Sequence, residues 1–310
     1  MTTSSKIPVI IAHRGASGYL PEHTLVSKAM AHALGADFLE QDVVLTRDDV
    51  PIVLHDIHLD TVSDVAQRFP LRARSDGRFY AIDFTFAEIG ELKVTERFHP
   101  ETGAAVFPNR FPAGVGRFQI PSLIEELELI RGLNQSTQRV AGIYPEIKQP
   151  AFHRREGKDM TRCVLPILNG QGYSQKSDPC YLQCFDQQEL RRIREEFGSR
   201  LRLIQLLEEE TCKEMLSSTP RLQQELTCIA EYADGIGPSL NGVFIKGEPT
   251  DLVSAAHGCG LVVHPWTYRQ DAFMGGFSTF AELHAASRLI GVDGLFSDFP
   301  DLSRKLGQGE

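Results

Sequence analysis

Short apolar segments alternate with longer amphipathic segments along most of the chain. Five amphipathic segments have helical periodicity, at residues 24–33, 159–168, 186–197, 251–257 and 280–290, and several begin with Thr or Asp and run into Gly. The apolar segments have the length and composition of buried strands. There are eight of them, at residues 9–12, 38–45, 142–147, 180–184, 201–206, 235–238, 261–264 and 294–297. Eight repeated strand and helix units predict the α/β class and a closed (β/α)8 TIM barrel.

The alternation is interrupted between residues 57 and 119 by a stretch rich in Arg, Asp, Phe and Pro. A segment of this length inside a compact domain is not expected to be a loop. We therefore predict a single barrel domain over residues 1–310, with a small inserted subdomain at 57–119 that follows a hairpin of the second strand. The residues expected to pack the insertion onto the barrel rim are Asp83, Arg97, Phe79, Tyr80, Phe84 and Phe86.

Two carboxylates share one face of the second predicted strand. Glu40 and Asp42 are two residues apart and project to the same side, whereas Gln41 points away. Turn residues at 46–49 and a second apolar run at 51–54 predict a hairpin centred near Asp48. In that register His55 returns beside Gln41, within reach of the carboxylate pair.

Two further strands end in ionisable residues. His13 and Arg14 follow the first strand, and Glu146 and Lys148 alternate at the end of the strand at 142–147. Because barrel strands all end at the same rim, we expect these side chains to lie close to those of the second strand. Charged groups on a buried strand must be paired or must bind a metal, so this spacing is not typical of ordinary solvated charge.

Three carboxylates at one point form a hard oxygen site of the kind that Ca²⁺ or Mg²⁺ prefers. Two imidazoles then remain for proton transfer on opposite sides of a phosphorus atom, and two cationic side chains remain to bind a phosphate. The sequence thus predicts metal-assisted phosphodiester cleavage. The predicted roles are acid and base for His13 and His55, phosphate binding for Arg14 and Lys148, and metal binding for Glu40, Asp42 and Glu146.

Composition and charge limit the classes of partner that the chain is expected to bind. With 42% hydrophobic and 24% charged residues, the chain has the composition of a globular protein with a sizeable core. A net charge of −9 disfavours nucleic acid. No segment reaches the roughly 20 apolar residues that span a bilayer, so stable membrane insertion is not expected. The expected partner is a small-molecule substrate, and the sequence leaves association into a homodimer open.

Two features of the sequence predict the cellular compartment of the protein. They are the six scattered cysteines and the composition of the N-terminus. The cysteines are expected to be small buried apolar residues in a reducing environment rather than zinc ligands. The first residues lack the charged start and apolar middle of a signal peptide. We therefore expect the cytoplasm, with the periplasm as the alternative if an export signal has been removed.

The sequence resembles the glycerophosphodiester phosphodiesterase family over nearly its whole length, and the form with the insertion is similar to the bacterial periplasmic branch, whose members usually carry an export signal. The segments that carry the resemblance are Ala-His-Arg-Gly-Ala at 12–16, Pro-Glu-His-Thr at 21–24, Leu-Glu-Gln-Asp at 39–42, Val-Leu-His-Asp at 53–56, Tyr-Pro-Glu-Ile-Lys at 144–148, Val-His-Pro-Trp-Thr at 263–267 and Leu-Phe-Ser-Asp-Phe-Pro at 295–300.

The resemblance implies a barrel with an inserted small domain, and it implies the same site roles as the residue pattern. It further implies hydrolysis of deacylated phospholipids such as glycerophosphocholine and glycerophosphoethanolamine, which releases sn-glycerol 3-phosphate and an alcohol. By analogy with related barrel phosphodiesterases, attack by the glycerol hydroxyl of the substrate would pass through a cyclic phosphate.

Five other residues have two interpretations each. Gln183 and Phe185, at the end of the strand at 180–184, either line the substrate pocket or pack in the core. Trp266 either covers the glycerol moiety or packs structurally. His23 is expected to help cap the helix that starts near Thr24, with phosphate contact as the alternative. Asp298 either caps the last helix or touches substrate.

Two other classes of function make different demands on the sequence. A phospholipase-like barrel enzyme that acts on intact lipids would need an exposed apolar rim, and the sequence contains no such stripe. A catalytically inactive binding module would lack one of the histidines or carboxylates, and all of them are present. Hydrolysis of a glycerophosphodiester is therefore the favoured interpretation.

Overall fold

A computed structural model describes residues 7–308, and its main feature is a barrel of parallel strands. Eight strands follow one another around the barrel in the order β10, β7, β6, β5, β4, β2, β1, β11, and β3 pairs antiparallel with β2 outside this path. The strands are β1 (Val9–Ala12), β2 (Phe38–Leu45), β3 (Pro51–Val53), β4 (Gly142–Ile147), β5 (Tyr181–Cys184), β6 (Arg202–Leu207), β7 (Gly235–Pro238), β8 (Phe244–Ile245), β9 (Glu248–Pro249), β10 (Val262–Val263) and β11 (Gly294–Ser297).

The barrel closes between β10 and β11 through irregular backbone. The Asp293 amide donates to the Val263 carbonyl at 3.0 Å, and the Phe296 amide donates to the Pro265 carbonyl at 3.1 Å. Tyr268 then bridges Ser297 in parallel. The chain is therefore a nearly closed (β/α)8 barrel, which confirms the predicted fold class. The predicted strands at 180–184, 201–206 and 261–264 differ from β5, β6 and β10 only at their ends.

Helices connect the strands and cover the outside of the barrel. Their starts follow the predicted cap chemistry: Thr24 caps the first helix, Asp159 the sixth and Asp186 the seventh, each through a side-chain oxygen. The helices are α1 (Leu25–Ala33), α2 (Val65–Arg68), α3 (Phe86–Ile89), α4 (Leu123–Thr137), α5 (Pro150–Arg155), α6 (Met160–Gly170), α7 (Gln187–Glu195), α8 (Glu209–Met215), α9 (Thr219–Ala230), α10 (Leu240–Val243), α11 (Leu252–Gly258), α12 (Phe280–Ile290) and α13 (Pro300–Gln308).

Residues 57–119 contain only short elements, α2, α3 and a 3₁₀ turn at Ala81–Asp83. The segment has a hydrophobic cluster of its own, in which Phe79, Phe84 and Ile89 pack with Val44 and Ile52 of the β2–β3 hairpin. The Arg74 guanidinium binds both oxygens of Asp83. The segment therefore packs on the β2–β3 hairpin.

A buried ion pair supports the outer side of β2. The Lys28 ammonium of α1 and the Glu126 carboxylate of α4 are both fully buried, and Lys28 Nζ lies 2.7 Å from Glu126 Oε1. Lys28 also donates to the Glu40 carbonyl, and Gln41 Nε2 donates to Glu126 Oε1 at 2.9 Å. The outward-facing Gln41 and the backbone of Glu40 are thus held from behind the barrel wall.

Replacing Lys28 with Met is expected to lower the free energy of unfolding by about 3–5 kcal/mol, because it leaves a buried carboxylate without its cation. The paired replacement Lys28→Met with Glu126→Leu should recover most of that loss, since neither charge then remains buried. Urea unfolding of the four proteins of this cycle measures both values. A double variant as unstable as the single one would contradict this account of the pair.

Candidate active site

One cavity of about 590 Å³ opens at the carboxyl ends of the barrel strands. Active sites of (β/α)8 barrels lie at this end of the strands. The structure brings all ten residues selected from the sequence to this one cavity. Its lining includes His13, Arg14, Glu40, Asp42, His55, Glu146, Lys148, Gln183, Phe185 and Trp266.

Three carboxylates converge at the floor of the cavity. Glu40 and Asp42 lie on β2, Glu146 lies on β4, and the parallel pairing of these strands sets Asp42 beside Glu146. Each offers an oxygen within 4.8 Å of the oxygens offered by the other two, and all three residues are buried. Hard cations such as Ca²⁺ and Mg²⁺ take oxygen ligands of this kind. The triad could therefore hold a divalent metal ion.

The electrostatics of the triad fit such an ion. Burial and the neighbouring Asp42 raise the pKa of Glu40 to about 8, and burial, opposed by Lys148, raises the pKa of Glu146 well above its usual range. Asp42 Oδ1 is buried and accepts no hydrogen bond among the described residues. Arg14 and Lys148 lie beside the three buried carboxylates, and a divalent ion would further lower the cost of burying them and satisfy the oxygen that accepts no hydrogen bond.

Both histidines that line the cavity are held in the same way. His13 Nδ1 lies 2.6 Å from Asp298 Oδ1, and His55 Nδ1 lies 2.6 Å from Asp56 Oδ1. A carboxylate at Nδ1 fixes the tautomer in which Nδ1 carries the proton and the Nε2 lone pair is available. Burial and the nearby Arg14 lower the pKa of both imidazoles to about 4, so both are neutral near pH 7 in the free protein.

Two cationic side chains adjoin the triad. The Arg14 backbone amide donates to Glu40 Oε2 at 2.8 Å, and its guanidinium lies 3.5 Å from Asp42 and 3.1 Å from Glu22. Lys148 Nζ lies 2.9 Å from Glu146 Oε1. Both cations are largely buried at the cavity wall, where an anionic group of a ligand would meet them.

The other predicted lining residues have distinct contacts. Gln183 Nε2 donates to Glu40 Oε1 at 3.0 Å, so this side chain orients a carboxylate of the triad. Phe185 and Trp266 meet edge to face with ring centroids 5.8 Å apart, and Trp266 Nε1 donates to the Gly237 carbonyl at 2.8 Å. All three residues line the cavity, and contact of Trp266 with a glycerol group stays a prediction.

Sequence reasoning missed the contacts that three residues make with the site. His23 does not cap α1, because Thr24 does so; its Nε2 instead lies 2.7 Å from Asp42 Oδ2. Asp298 binds His13 through Oδ1 and does not line the cavity. Asp56 follows His55 directly in the chain, and this adjacency is the one signal that could have identified it.

Comparison with known proteins identifies the family. The Glycerophosphoryl diester phosphodiesterase family matches residues 13–302. The chain belongs to this family. A glycerophosphodiester phosphodiesterase of Haemophilus influenzae is 42% identical over 94% of this chain and 88% of its own length. One of Treponema pallidum is 37% identical over 96% of this chain and 91% of its own. Like these relatives, this member of the family is a phosphoric diester hydrolase.

Solved structures agree on the fold of this family member. The crystal structure of a Silicibacter pomeroyi protein assigned to the same enzyme class has a TM-score of 0.75 at 25% identity, and it covers 98% of this chain and 94% of its own. A phosphodiesterase of Oleispira antarctica, solved with the product sn-glycerol-3-phosphate, has a TM-score of 0.67 at 20% identity over 97% of this chain and 96% of its own.

Within residues 7–308, none of the helices combines the length and the apolar character that a membrane crossing requires.

Proposed function

We propose that this chain hydrolyses glycerophosphodiesters, such as glycerophosphocholine and glycerophosphoethanolamine, to sn-glycerol 3-phosphate and an alcohol in a metal-dependent reaction. The observation that carries the proposal is the convergence of a buried carboxylate triad, two aspartate-bound histidines and two cations on one cavity. The product bound to the Oleispira relative supports the same substrate class.

Glu40, Asp42 and Glu146 would hold the metal ion in this proposal. When bound, a divalent ion neutralises charge on a phosphate oxygen. Arg14 and Lys148 would bind the remaining phosphate oxygens, because both lie beside the triad with their cationic groups at the cavity wall. Phe185 and Trp266 present apolar ring surface, which suits the carbon face of a glycerol group.

The two histidines would transfer the protons. One imidazole accepts, at Nε2, the proton released when the attacking hydroxyl forms its bond to phosphorus. The other imidazole carries its own proton at Nε2. It donates this proton to the departing alcohol oxygen as the second phosphorus–oxygen bond breaks. Because both imidazoles are neutral near pH 7 in the free protein, the one that acts as the acid must bind a second proton before this step.

Two reaction routes use the same residues and differ in the nucleophile that attacks phosphorus. Water as the nucleophile gives glycerol 3-phosphate directly. Attack by the glycerol hydroxyl of the substrate first gives a cyclic phosphate and the free alcohol, and water then opens the ring. Phosphorus NMR of the early reaction mixture distinguishes the two routes, because a cyclic phosphodiester has a resonance well separated from that of the product.

An assay with three substrates tests the proposed function. Glycerophosphocholine, glycerophosphoethanolamine and bis(4-nitrophenyl) phosphate are each incubated with the chain, with EDTA, and with Ca²⁺ or Mg²⁺ added after EDTA. We expect hydrolysis of the first two with release of glycerol 3-phosphate, its loss in EDTA and its recovery with one of the ions. Full activity after exhaustive chelation would remove the metal from the mechanism, and inactivity on all three substrates would contradict the function.

A further inference from the structure

Arg97, from the 57–119 segment, binds the aspartate that holds His55. Asp56 uses one oxygen, Oδ1, for the imidazole and the other, Oδ2, for Arg97 Nη1 at 2.6 Å. The same guanidinium binds both oxygens of Glu22, with Nη2 at 2.6 Å and Nε at 3.0 Å. Glu22 in turn contacts Arg14. Arg97 therefore fixes the partner of one histidine and the partner of a phosphate-binding arginine.

Arg110, from the same segment, has the equivalent position at His13. Asp298 uses Oδ1 for the imidazole and Oδ2 for Arg110 Nη2 at 2.7 Å. The guanidinium also binds both oxygens of Asp271, at 2.8 Å and 3.0 Å. Arg269 adds a second donor to Asp298 Oδ2 at 2.9 Å. The two histidine–aspartate pairs thus share one design, in which the second carboxylate oxygen is bound by an arginine of the insertion.

Both arginine side chains are largely buried, and each guanidinium binds two carboxylates. The Arg97 side chain is 14% exposed and that of Arg110 is 4% exposed. Each spans two carboxylates with a planar fork of donors, an arrangement that a lysine ammonium cannot reproduce. The Arg110 guanidinium also lies 3.6 Å from the centre of the Phe107 ring.

Backbone hydrogen bonds pair the chain after Arg97 with the chain before Arg110. The Val106 amide donates to the Arg97 carbonyl at 2.9 Å, and Phe98 bridges Ala105 in antiparallel fashion. The chain between the arginines therefore folds back on itself, so that one short arm of the insertion reaches both histidine–aspartate pairs. This arm contributes no residue to the cavity lining itself.

We propose that Arg97 and Arg110 are positioning residues, which act by holding the aspartates that orient His55 and His13. In this proposal, which rests on the proposed function, the insertion is a structural part of both proton-transfer pairs rather than a peripheral addition. Misplacing a reacting group by about 1 Å costs about 100-fold in rate. The arginines are therefore expected to control turnover rather than substrate affinity.

The test compares Arg97→Lys and Arg110→Lys with Arg78→Lys in the full chain at saturating divalent ion. Arg78 is the matched control, because it lies in the same segment and binds both oxygens of Asp60, at 2.8 Å and 2.7 Å. Two substrates are used, glycerophosphocholine and a glycerophosphodiester whose leaving group is 4-nitrophenol. Thermal unfolding of each variant measures the folded fraction.

With glycerophosphocholine, we expect kcat to fall about 10-fold to 100-fold in Arg97→Lys and in Arg110→Lys, with KM within about 2-fold of wild type, and no change in Arg78→Lys. On the nitrophenyl substrate one of the two variants should recover most of its kcat, because nitrophenolate leaves without a proton. That variant identifies the histidine that acts as the acid. A purely structural role for the arginines would give no dependence on the leaving group.

Losses of kcat no larger than in Arg78→Lys, or a rise in KM with kcat unchanged, would overturn the positioning role. A lysine variant that fails to fold is replaced by a change at the other carboxylate of the same arginine, Glu22→Gln for Arg97 or Asp271→Asn for Arg110, which loosens the arginine and leaves the histidine–aspartate pair intact. A smaller loss of kcat in the same direction is then expected, and an unchanged kcat overturns the positioning role. A wild-type chain inactive on both substrates would overturn the proposed function as well, whereas an active wild type with unaffected arginine variants would overturn the positioning role alone.

Discussion

Replacing His13 or His55 with Ala is expected to lower kcat on glycerophosphocholine by about 10²-fold to 10⁴-fold, the range found for loss of a general acid or base. The fold should survive, because the aspartate partners keep other cations. Asp298 remains bound to Arg110, and Asp56 remains bound to Arg97. Steady-state kinetics with excess divalent ion measures the loss.

His284 provides the matched control for this prediction. It is buried to a similar degree as His13, and it bonds Ser303 and the Phe280 carbonyl away from the cavity. We expect His284→Ala to be less stable but to retain the wild-type kcat per folded molecule. A His13 or His55 variant that retained full turnover would remove that histidine from the reaction.

Replacing Glu146 with Gln is expected to change activity and stability in opposite directions. Turnover should fall at least about 100-fold, since the proposed metal site loses one of its three negative charges and with it part of the transition-state stabilisation that a bound ion would supply. In EDTA, however, the free energy of unfolding should rise by about 1–2 kcal/mol. The amide oxygen can still accept from Lys148, and the amide nitrogen can donate to Asp42, whose Oδ1 otherwise has no hydrogen bond in the described chain.

This stability difference has a definite pH dependence. Burial raises the pKa of Glu146 in the folded protein above its ordinary value of 4.5. The unfolded state therefore releases this proton first, and metal-free wild type loses stability as the pH rises above about 4.5. The Gln variant has no such proton, so its advantage in EDTA should grow with pH. Denaturant unfolding at several pH values measures it.

Added metal is expected to reverse this order of stability. If the triad binds an ion in the folded state alone, that ion would stabilise wild type by mass action, and the variant with one carboxylate charge fewer would gain less. Wild type should therefore unfold at a higher denaturant concentration than Glu146→Gln in excess Ca²⁺ or Mg²⁺. A variant less stable than wild type in EDTA would show that the three carboxylates do not repel one another as their geometry implies.

The barrel and the triad could be predicted because both follow from local periodicity. Alternation by two placed Glu40 and Asp42 on one face, and parallel strands that end at one rim bring Glu146 beside them. The β2–β3 hairpin, paired through Val43 and Val53, carries His55 back to the same rim. Such relations need only short stretches of chain and the rule that barrel strands are parallel.

The supporting residues could not be predicted, because their contacts depend on how distant parts of the chain close on each other. Asp298 meets His13 across 285 positions only after β11 has paired with β1. Arg110 reaches Asp298 across 188 positions from a segment without regular rhythm. His23 was expected to help cap α1, and no periodicity indicates that it turns towards Asp42 instead. The predicted cytoplasmic location stays a prediction.

Calorimetric titration of the EDTA-stripped protein tests most directly whether the carboxylates bind a divalent ion. Ca²⁺ and Mg²⁺ are titrated separately into wild type, Asp42→Asn and His55→Ala. We predict one ion per chain in wild type and in His55→Ala, and loss of that binding in Asp42→Asn, because Asp42→Asn removes a negative charge from the triad whereas His55→Ala leaves the three carboxylates intact. Undiminished binding by Asp42→Asn, or none by wild type, would contradict the metal site on which the proposed mechanism depends.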